Sequence, residues 1–229
     1  MLDKFLRMVA IHIIDQFRRL QTDLLYHRRL QATKETLQFI EDHLKGITCI
    51  DMSQNKKAML DYLIPQINPK GLIIECGVFK GRTINHIAKK IPNRTIHGFD
   101  SFQGLPNDWE FLPKNTFNLN GVMPKVEKNI VLHKGLFSDT LPKFNQTTDE
   151  SIAFLHVDGD LYSSAKTILD SFDRKIIPGT IILFDEFFNF PGWQEHEYKA
   201  WSEFSNNIKY DFIAYTNHTQ VALKIIKTK

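Results

Sequence analysis

From Pro69 to its C-terminus the chain alternates short apolar runs with amphipathic ones. GLIIECG, TIHGFD, NIVLHKG, SIAFLHVDGD and GTIILFDE each read as a strand, and RTINHIAKKI, SAKTILDSFDRKI and QEHEYKAWSEFSNN read as helices. A strand that returns to its sheet through a helix runs parallel to the strand before it. The alternation therefore specifies a mostly parallel sheet with helices on both faces. KYDFIAYT and QVALKIIK, with Asn217 and His218 between them, read as an antiparallel hairpin that forms the edge of the sheet. There are no internal repeats and no low-complexity tracts.

At 229 residues the chain is long enough for one large domain with a full core. A net charge of +3 is too small to argue for a nucleic-acid partner. Its two cysteines, Cys49 and Cys76, sit in apolar contexts without metal-ligand spacing, which fits a reduced, cytoplasmic protein. The first twenty residues do not read as a signal peptide, because Arg7, His12 and Asp15 break the apolar run. No run approaches the ~18 consecutive apolar residues of a membrane span.

Leu2, Leu6, Val9, Ile13, Phe17, Leu20 and Leu24 recur at helical spacing, opposite a face carrying Arg18, Arg19, Arg28 and Arg29. Such a stripe packs on its own domain or on a second copy, and a homodimer is the expectation; a basic membrane-surface helix is the alternative. A second helix is expected over Lys34 to Lys45, stopped by Gly46, and a third between an N-cap at Ser53 and Pro65. Residues 1–70 then form a helical cap or oligomerisation segment, and residues 71–229 the core, within one structural domain.

Ligands of open α/β sheets bind beyond the carboxyl ends of the strands. What stands there is polar and glycine-rich: Glu75, Gly77, Gly81 and Thr83 after the first strand, Asp100 after the second, and KGLFSDTLP after the third. The fourth and fifth end in Asp158-Gly159-Asp160 and Asp185-Glu186. Gly77 and Gly81 allow a tight turn and a close approach of the backbone to a ligand. An acid at the end of the second strand is placed to accept hydrogen bonds from a ribose diol. Together they describe an adenosine-containing cofactor. The glycines of GVFKG are four apart, which does not match the G-x-G-x-x-G of dinucleotide enzymes and disfavours a nucleotide-dependent oxidoreductase.

The E-x-G turn resembles the first motif of class I S-adenosylmethionine-dependent methyltransferases. GFDSFQGLP, KGLFSDTLP, HVDGDLYSS and DEFFNFPGWQEHEYKA, in this order, resemble the macrocin O-methyltransferase (TylF/MycF-like) family over roughly Gly71 to Phe204. The resemblance implies a Rossmann-like, mostly parallel seven-stranded sheet with an antiparallel last strand and N-terminal helices. It implies S-adenosyl-L-methionine held by Glu75, Gly77, Val78, Phe79, Gly81 and Thr83, with Asp100 on the ribose. Ser101, Phe102, Ser138, Asp139 and Asp158 would complete the cofactor site. Asp158, Asp185 and Glu186 match metal-binding acids. Glu186 departs from the Asp or Asn usual at its position, so a water-bridged contact is an alternative there.

Carboxylates, with no His/Cys set at zinc spacing, favour Mg²⁺, which lowers the pKa of a hydroxyl bound to it. The implied activity is methylation of a hydroxyl on a small molecule, of a sugar or glycosylated product, with no nucleic-acid partner. No Asn/Asp-Pro-Pro-aromatic motif of base methylation follows the fourth strand. His196, His156 and Asp158 are candidate proton acceptors. Asp160 reads as the cap of the following helix. Trp193 is a candidate for stacking on the acceptor, and Trp201 for the core. Residues 114–124 read as a binding loop. A catechol-like phenol as acceptor, and a binding protein without catalysis, are the other readings of the same residues.

Overall fold

The computed structural model describes residues 5–11, 13–14, 22–110 and 112–228. Its centre is an eight-stranded sheet in the order β1-β7-β8-β6-β5-β2-β3-β4. In chain order the strands are β1 (Thr48–Ile50), β2 (Leu72–Cys76), β3 (Ile96–Asp100), β4 (Ile130–Lys134), β5 (Ile152–Val157), β6 (Ile181–Phe184), β7 (Lys209–Thr216) and β8 (Val221–Lys227). β8 pairs antiparallel with β6 and β7, and every other pairing is parallel. The α-helices with both ends among the described residues are α1 (Leu24–His43), α2 (Ala58–Leu63), α3 (Arg82–Lys90), α4 (Phe137–Asn145), α5 (Tyr162–Phe172) and α6 (Glu197–Phe204).

Successive strand residues point to opposite faces, and both faces are covered. Ile74, Cys76, Leu155, Val157, Ile182 and Phe184 pack under α1, α4, α5 and α6 through Phe39, Phe144, Ile168 and Trp201. Ile73, Phe154, Ile181 and Leu183 pack under α2 and α3 through Met59, Leu63, Ile84 and Ile87. The sheet is therefore the middle layer of three. β2 continues to β3 and β4 on one side, while β5 and β6 lie on the other. The strand order reverses between β2 and β5, which is where such a sheet opens a crevice.

Four elements differ from the sequence expectation. β1 adds an eighth strand beside β7, outside the closing hairpin, so the hairpin is not the sheet edge. β1 and α2 thereby join residues 1–70 to the sheet and its core. The helix expected from Lys34 starts earlier, because the Asp23 carboxylate caps it by accepting from the N–H of Leu25 and Tyr26 at 2.9 and 3.2 Å. The helix expected after Ser53 starts at Ala58: Ser53 is held in a turn, donating from its N–H and its hydroxyl to Asp51 at 2.8 and 2.9 Å. α4 contains Pro142 and was not expected as a helix. Of the N-terminal stripe, Leu6, Val9 and Ile13 are helical and exposed, whereas Leu2, Phe17 and Leu20, with Arg18 and Arg19, lie outside the described residues. Among the described residues no helix is long and apolar enough to cross a membrane.

At the outer end of the sheet, His97 Nδ1 on β3 lies 3.1 Å from His133 Nε2 on β4, and Phe99 stacks on the His133 ring. Burial, with the neighbouring His133, pushes the His97 pKa down to about 4. An unfolded histidine takes up its proton near pH 6.5, so between that pH and about 4 the unfolded chain binds more protons than the folded one. Stability contributed by neutral His97 is complete above pH 6.5 and is lost as pH falls towards 4. The melting temperature of wild type minus that of His97→Gln should fall across this window, and a flat difference would exclude the effect.

Candidate active site

The crevice at the β2–β5 reversal holds a cavity of about 320 Å³. Strand register explains what lines it. Cys76 pairs with Val157, and Val157 with Phe184, so the three strands end level and Gly77, Asp158 and Asp185 follow at equivalent heights. Each of these residues lines the cavity, as do Phe79, Asp100, Ser101, Phe117, Phe137, Asp160, Ser164 and Glu186. Gly77 has φ 103°, and a Cβ there would overlap the Asp158 carbonyl oxygen. Only glycine lets β2 and β5 stay this close while the chain turns away.

Asp100 builds the turn between β2 and α3. Its Oδ2 accepts from the N–H of Val78 at 2.9 Å and of Phe79 at 2.7 Å, and its Oδ1 from Phe102 N–H at 2.6 Å. A carboxylate offers about four acceptor positions, so Asp100 keeps about one, on Oδ1, for a ribose hydroxyl while holding the turn. Gly81 starts α3 in the left-handed region at φ 72°. Thr83, in the first turn of α3, donates its hydroxyl to Glu75 Oε1 at 2.9 Å. Glu75 is fully buried and faces the protein rather than the cavity. Val78 and Phe102 are also buried, and Ser138 and Asp139 are exposed on α4; Leu136 and Phe137 form the cavity wall on that side.

The acids converge. Ligand atoms of His156, Asp158 and Asp185 lie within 4.8 Å of one another, and so do those of Asp158, Asp160 and Glu186. Burial, then repulsion from Asp185, holds the Asp158 carboxyl well above the usual range, and the same causes act on Glu186 and Glu197. Burial with Asp185 and Asp100 pushes Asp160 up to about 7. Asp185 goes the other way: burial opposes its charge, but hydrogen bonds and charge from His156, and a bond from Gln220, outweigh it and hold the carboxyl low. His156 is fully buried, with Nδ1 3.1 Å from Glu75 Oε2 and Nε2 3.3 Å from Asp185 Oδ1. Burial disfavours its charge, yet the two carboxylates hold its pKa well above the ordinary value.

Residues 74–187 match the family model of a methyltransferase domain. This chain carries a class I methyltransferase domain. Its fold is shared by the calicheamicin methyltransferase CalS11, at 20% identity over 91% of this chain and 89% of that one, with a TM-score of 0.62. The O-methyltransferase NovP is 21% identical over 76% of this chain and 78% of that one, with a TM-score of 0.51. An O-methyltransferase from Bacillus cereus in complex with SAH is 16% identical over 94% and 97%, also with a TM-score of 0.51. No curated protein matches the sequence.

Within the methyltransferase domain the expected residues separate into those at the cavity and those behind it. Gly77, Phe79, Asp100, Ser101, Asp158, Asp185 and Glu186 line it. His156 stands behind it with both ring nitrogens against carboxylates. His196 lies beyond it, with Nε2 3.3 Å from Glu110 Oε1 on the loop after β3. Trp193 is buried against Phe39 and Tyr198, in the core with Trp201 rather than facing an acceptor. The loop over residues 114–124 does reach the cavity, through Phe117, whose ring meets Phe79 edge-on at 5.3 Å.

Three residues were not anticipated at the site. Asp160 is not a helix cap: Leu161 occupies the N-cap position, and Asp160, at φ 58°, lines the cavity. Gln220, at the start of β8, donates to Asp185 Oδ1. Glu197, fully buried at the start of α6, accepts the N–H of Glu186 at 3.0 Å. An Asp-x-Asp spacing was the available signal for Asp160; the other two depend on tertiary contact.

Gly77→Ala should cost at least about 1–3 kcal/mol, the usual range for a residue held in disfavoured backbone geometry, before the overlap with Asp158 is added. Urea unfolding measures it. A variant as stable as wild type would show that the turn relaxes freely.

Proposed function

We propose that this chain is a cytoplasmic, S-adenosylmethionine- and Mg²⁺-dependent O-methyltransferase of the macrocin O-methyltransferase family, acting on a hydroxyl of a sugar or glycosylated product. The observation that carries it is the convergence of Asp158, Asp160, Asp185 and Glu186 on the cavity that Asp100 and the Gly77 turn also line. Both groups fit what is there. For the cofactor, Asp100 offers an acceptor to a ribose hydroxyl, and Phe79, Leu136 and Phe137 offer apolar surface to a purine. For the cation, Glu186 Oε2 and Glu197 Oε1 are buried without a hydrogen-bond donor, and the donors are hard oxygens.

When bound, S-adenosylmethionine supplies an activated methyl group and the divalent cation supplies Lewis acidity at the acceptor hydroxyl. The protein's own part is placement, which is worth up to ~7–11 kcal/mol in well-oriented reactions. Asp158, Asp185 and Glu186 would hold the cation, and Gly77, Val78, Phe79 and Asp100 the cofactor. Asp160, on the cavity wall beside Asp158, is placed to take the hydroxyl proton. Phe79 and Phe117 narrow the cavity and limit water. Ser101 and Ser164 give its wall further polar partners for a hydroxyl-rich acceptor. The sugar assignment draws support from CalS11, described as a TDP-rhamnose 3′-O-methyltransferase.

Asp158→Asn and Asp185→Asn should abolish methyl transfer to a sugar acceptor while leaving S-adenosylhomocysteine affinity, measured without Mg²⁺, within about threefold, less than 1 kcal/mol. Asp100→Ala should weaken that affinity by roughly 1.5–3 kcal/mol, the worth of hydrogen bonds to a charged group. Calorimetry and a methyl-transfer assay over sugars and phenols measure both. Full turnover in excess chelator would remove the cation from the mechanism, and turnover on phenols alone would reassign the acceptor.

The same proposal includes a homodimer. Leu24, Leu30 and Leu37 are exposed on α1, and Leu6, Val9 and Ile13 are exposed in the N-terminal helical segment. Light scattering should give twice the chain mass, and a chain lacking residues 1–30 should lose that state. A monomeric full-length chain would exclude the dimer.

A further inference from the structure

From behind the cavity wall to its surface, a chain of buried and half-buried polar groups crosses the sheet from one half of the site to the other. It begins in the first turn of α3, where the Thr83 hydroxyl donates to Glu75 Oε1 at 2.9 Å. Glu75 Oε2 faces His156 Nδ1 at 3.1 Å, and His156 Nε2 faces Asp185 Oδ1 at 3.3 Å. Gln220 closes the chain on Asp185. Glu75 and His156 are both 0% exposed. The register puts the three side chains in one row: Glu75 pairs with His156 across β2–β5, and His156 with Leu183 across β5–β6, two residues before Asp185.

An apolar residue at position 156 would take one donor from each carboxylate, leaving Glu75 with Thr83 and Asp185 with Gln220, and a buried charge that loses its charged partner is strongly destabilising. A residue with one donor would serve one of them. An imidazolium, with an N–H on each ring nitrogen, serves both from opposite edges of one rigid ring. Holding Asp185 therefore fixes the ring, the ring fixes Glu75, and Glu75 fixes Thr83 and the first turn of α3.

We propose that His156 is a positioning residue that couples the two halves of the site, so that a divalent cation at Asp185 strengthens cofactor binding at the Gly77–Thr83 turn and the cofactor strengthens cation binding. This rests on the function proposed above. The physical basis is shared ordering: a ligand that immobilises one end of the row leaves less freedom for the second ligand to remove at the other. Thermodynamic linkage requires the effect to be the same in both directions.

The test is calorimetric titration of full-length protein with S-adenosylhomocysteine, with and without saturating Mg²⁺, and with Mg²⁺, with and without S-adenosylhomocysteine. In wild type each ligand should tighten the other by about five-fold or more, the lower end of typical coupling. In His156→Gln, shown to be folded by circular dichroism, each ligand should still bind alone and the coupling should fall to within twofold of none. Thr83→Val cuts the same row at the cofactor end with little change of shape, and should do the same; it decides the matter if His156→Gln does not fold. A residue that only supports the fold would weaken both ligands and leave their ratio untouched. Wild type that binds both without coupling, or folded variants that keep it, overturns the proposal and leaves the function standing. Wild type that binds S-adenosylhomocysteine but no Mg²⁺ overturns the proposal together with the cation half of that function.

Discussion

Three adjacent parallel strands ending at one level is the constraint on which the site depends. Cys76, Val157 and Phe184 are register partners across β2, β5 and β6, so whatever follows each strand is delivered to the same height. Had β6 slipped by one residue against β5, Asp185 would have exchanged faces with its neighbour and left the cavity. The register is fixed by burial on both faces: Ile182 and Phe184 pack into one core and Ile181 and Leu183 into the other. Apolar side chains that never touch a ligand thus determine where the carboxylates stand.

Concentrating acids in this way opposes folding. Asp158, Glu186 and Glu197 are held well above the usual carboxyl range by burial and by the charge of Asp185. The fold offsets part of that cost with His156 and Gln220 on Asp185, and leaves Glu186 Oε2 and Glu197 Oε1 without donors. The cation proposed for this site would relieve repulsion already built into the structure. α1 closes the arrangement from outside. Thr36 accepts the Asn189 N–H at 2.9 Å, and Phe39 packs on Phe187, Phe188 and Trp193, so the segment that follows Glu186 is fastened at several points.

The parallel sheet, its helices and the antiparallel last strand were legible because they follow from apolar runs and from the handedness of crossovers. Gly77, Asp100, Asp158, Asp185 and Glu186 were legible because strand ends can be located from those runs. What escaped had no local signal. β1 has three residues and gains its identity from Tyr215 and its neighbours on β7, about 165 positions away. α4 was masked by Pro142, which as the sixth residue of the helix reads as a breaker. Ser53 looks like a helix cap but serves a turn on Asp51, since both uses place a hydroxyl near a backbone N–H.

Asp160 is the instructive case. An Asp just before a helix is a fair cap by sequence, and only the left-handed backbone at φ 58° turns it back into the cavity. Asn and Asp tolerate that geometry better than other side chains, so the same residue type satisfies both interpretations, and spacing cannot separate them. The histidines divide in the opposite sense. His156 and His196 look alike beside acidic residues in the sequence, but alternation along β5 places the first inside the sheet between two strands, whereas the second follows a 3₁₀ turn (Trp193–Glu195) and meets a loop. A histidine with carboxylates at both ring nitrogens has no nitrogen left for an acceptor hydroxyl. Its contribution to chemistry must pass through the carboxylates it holds, and in this fold those carboxylates belong to opposite halves of the site.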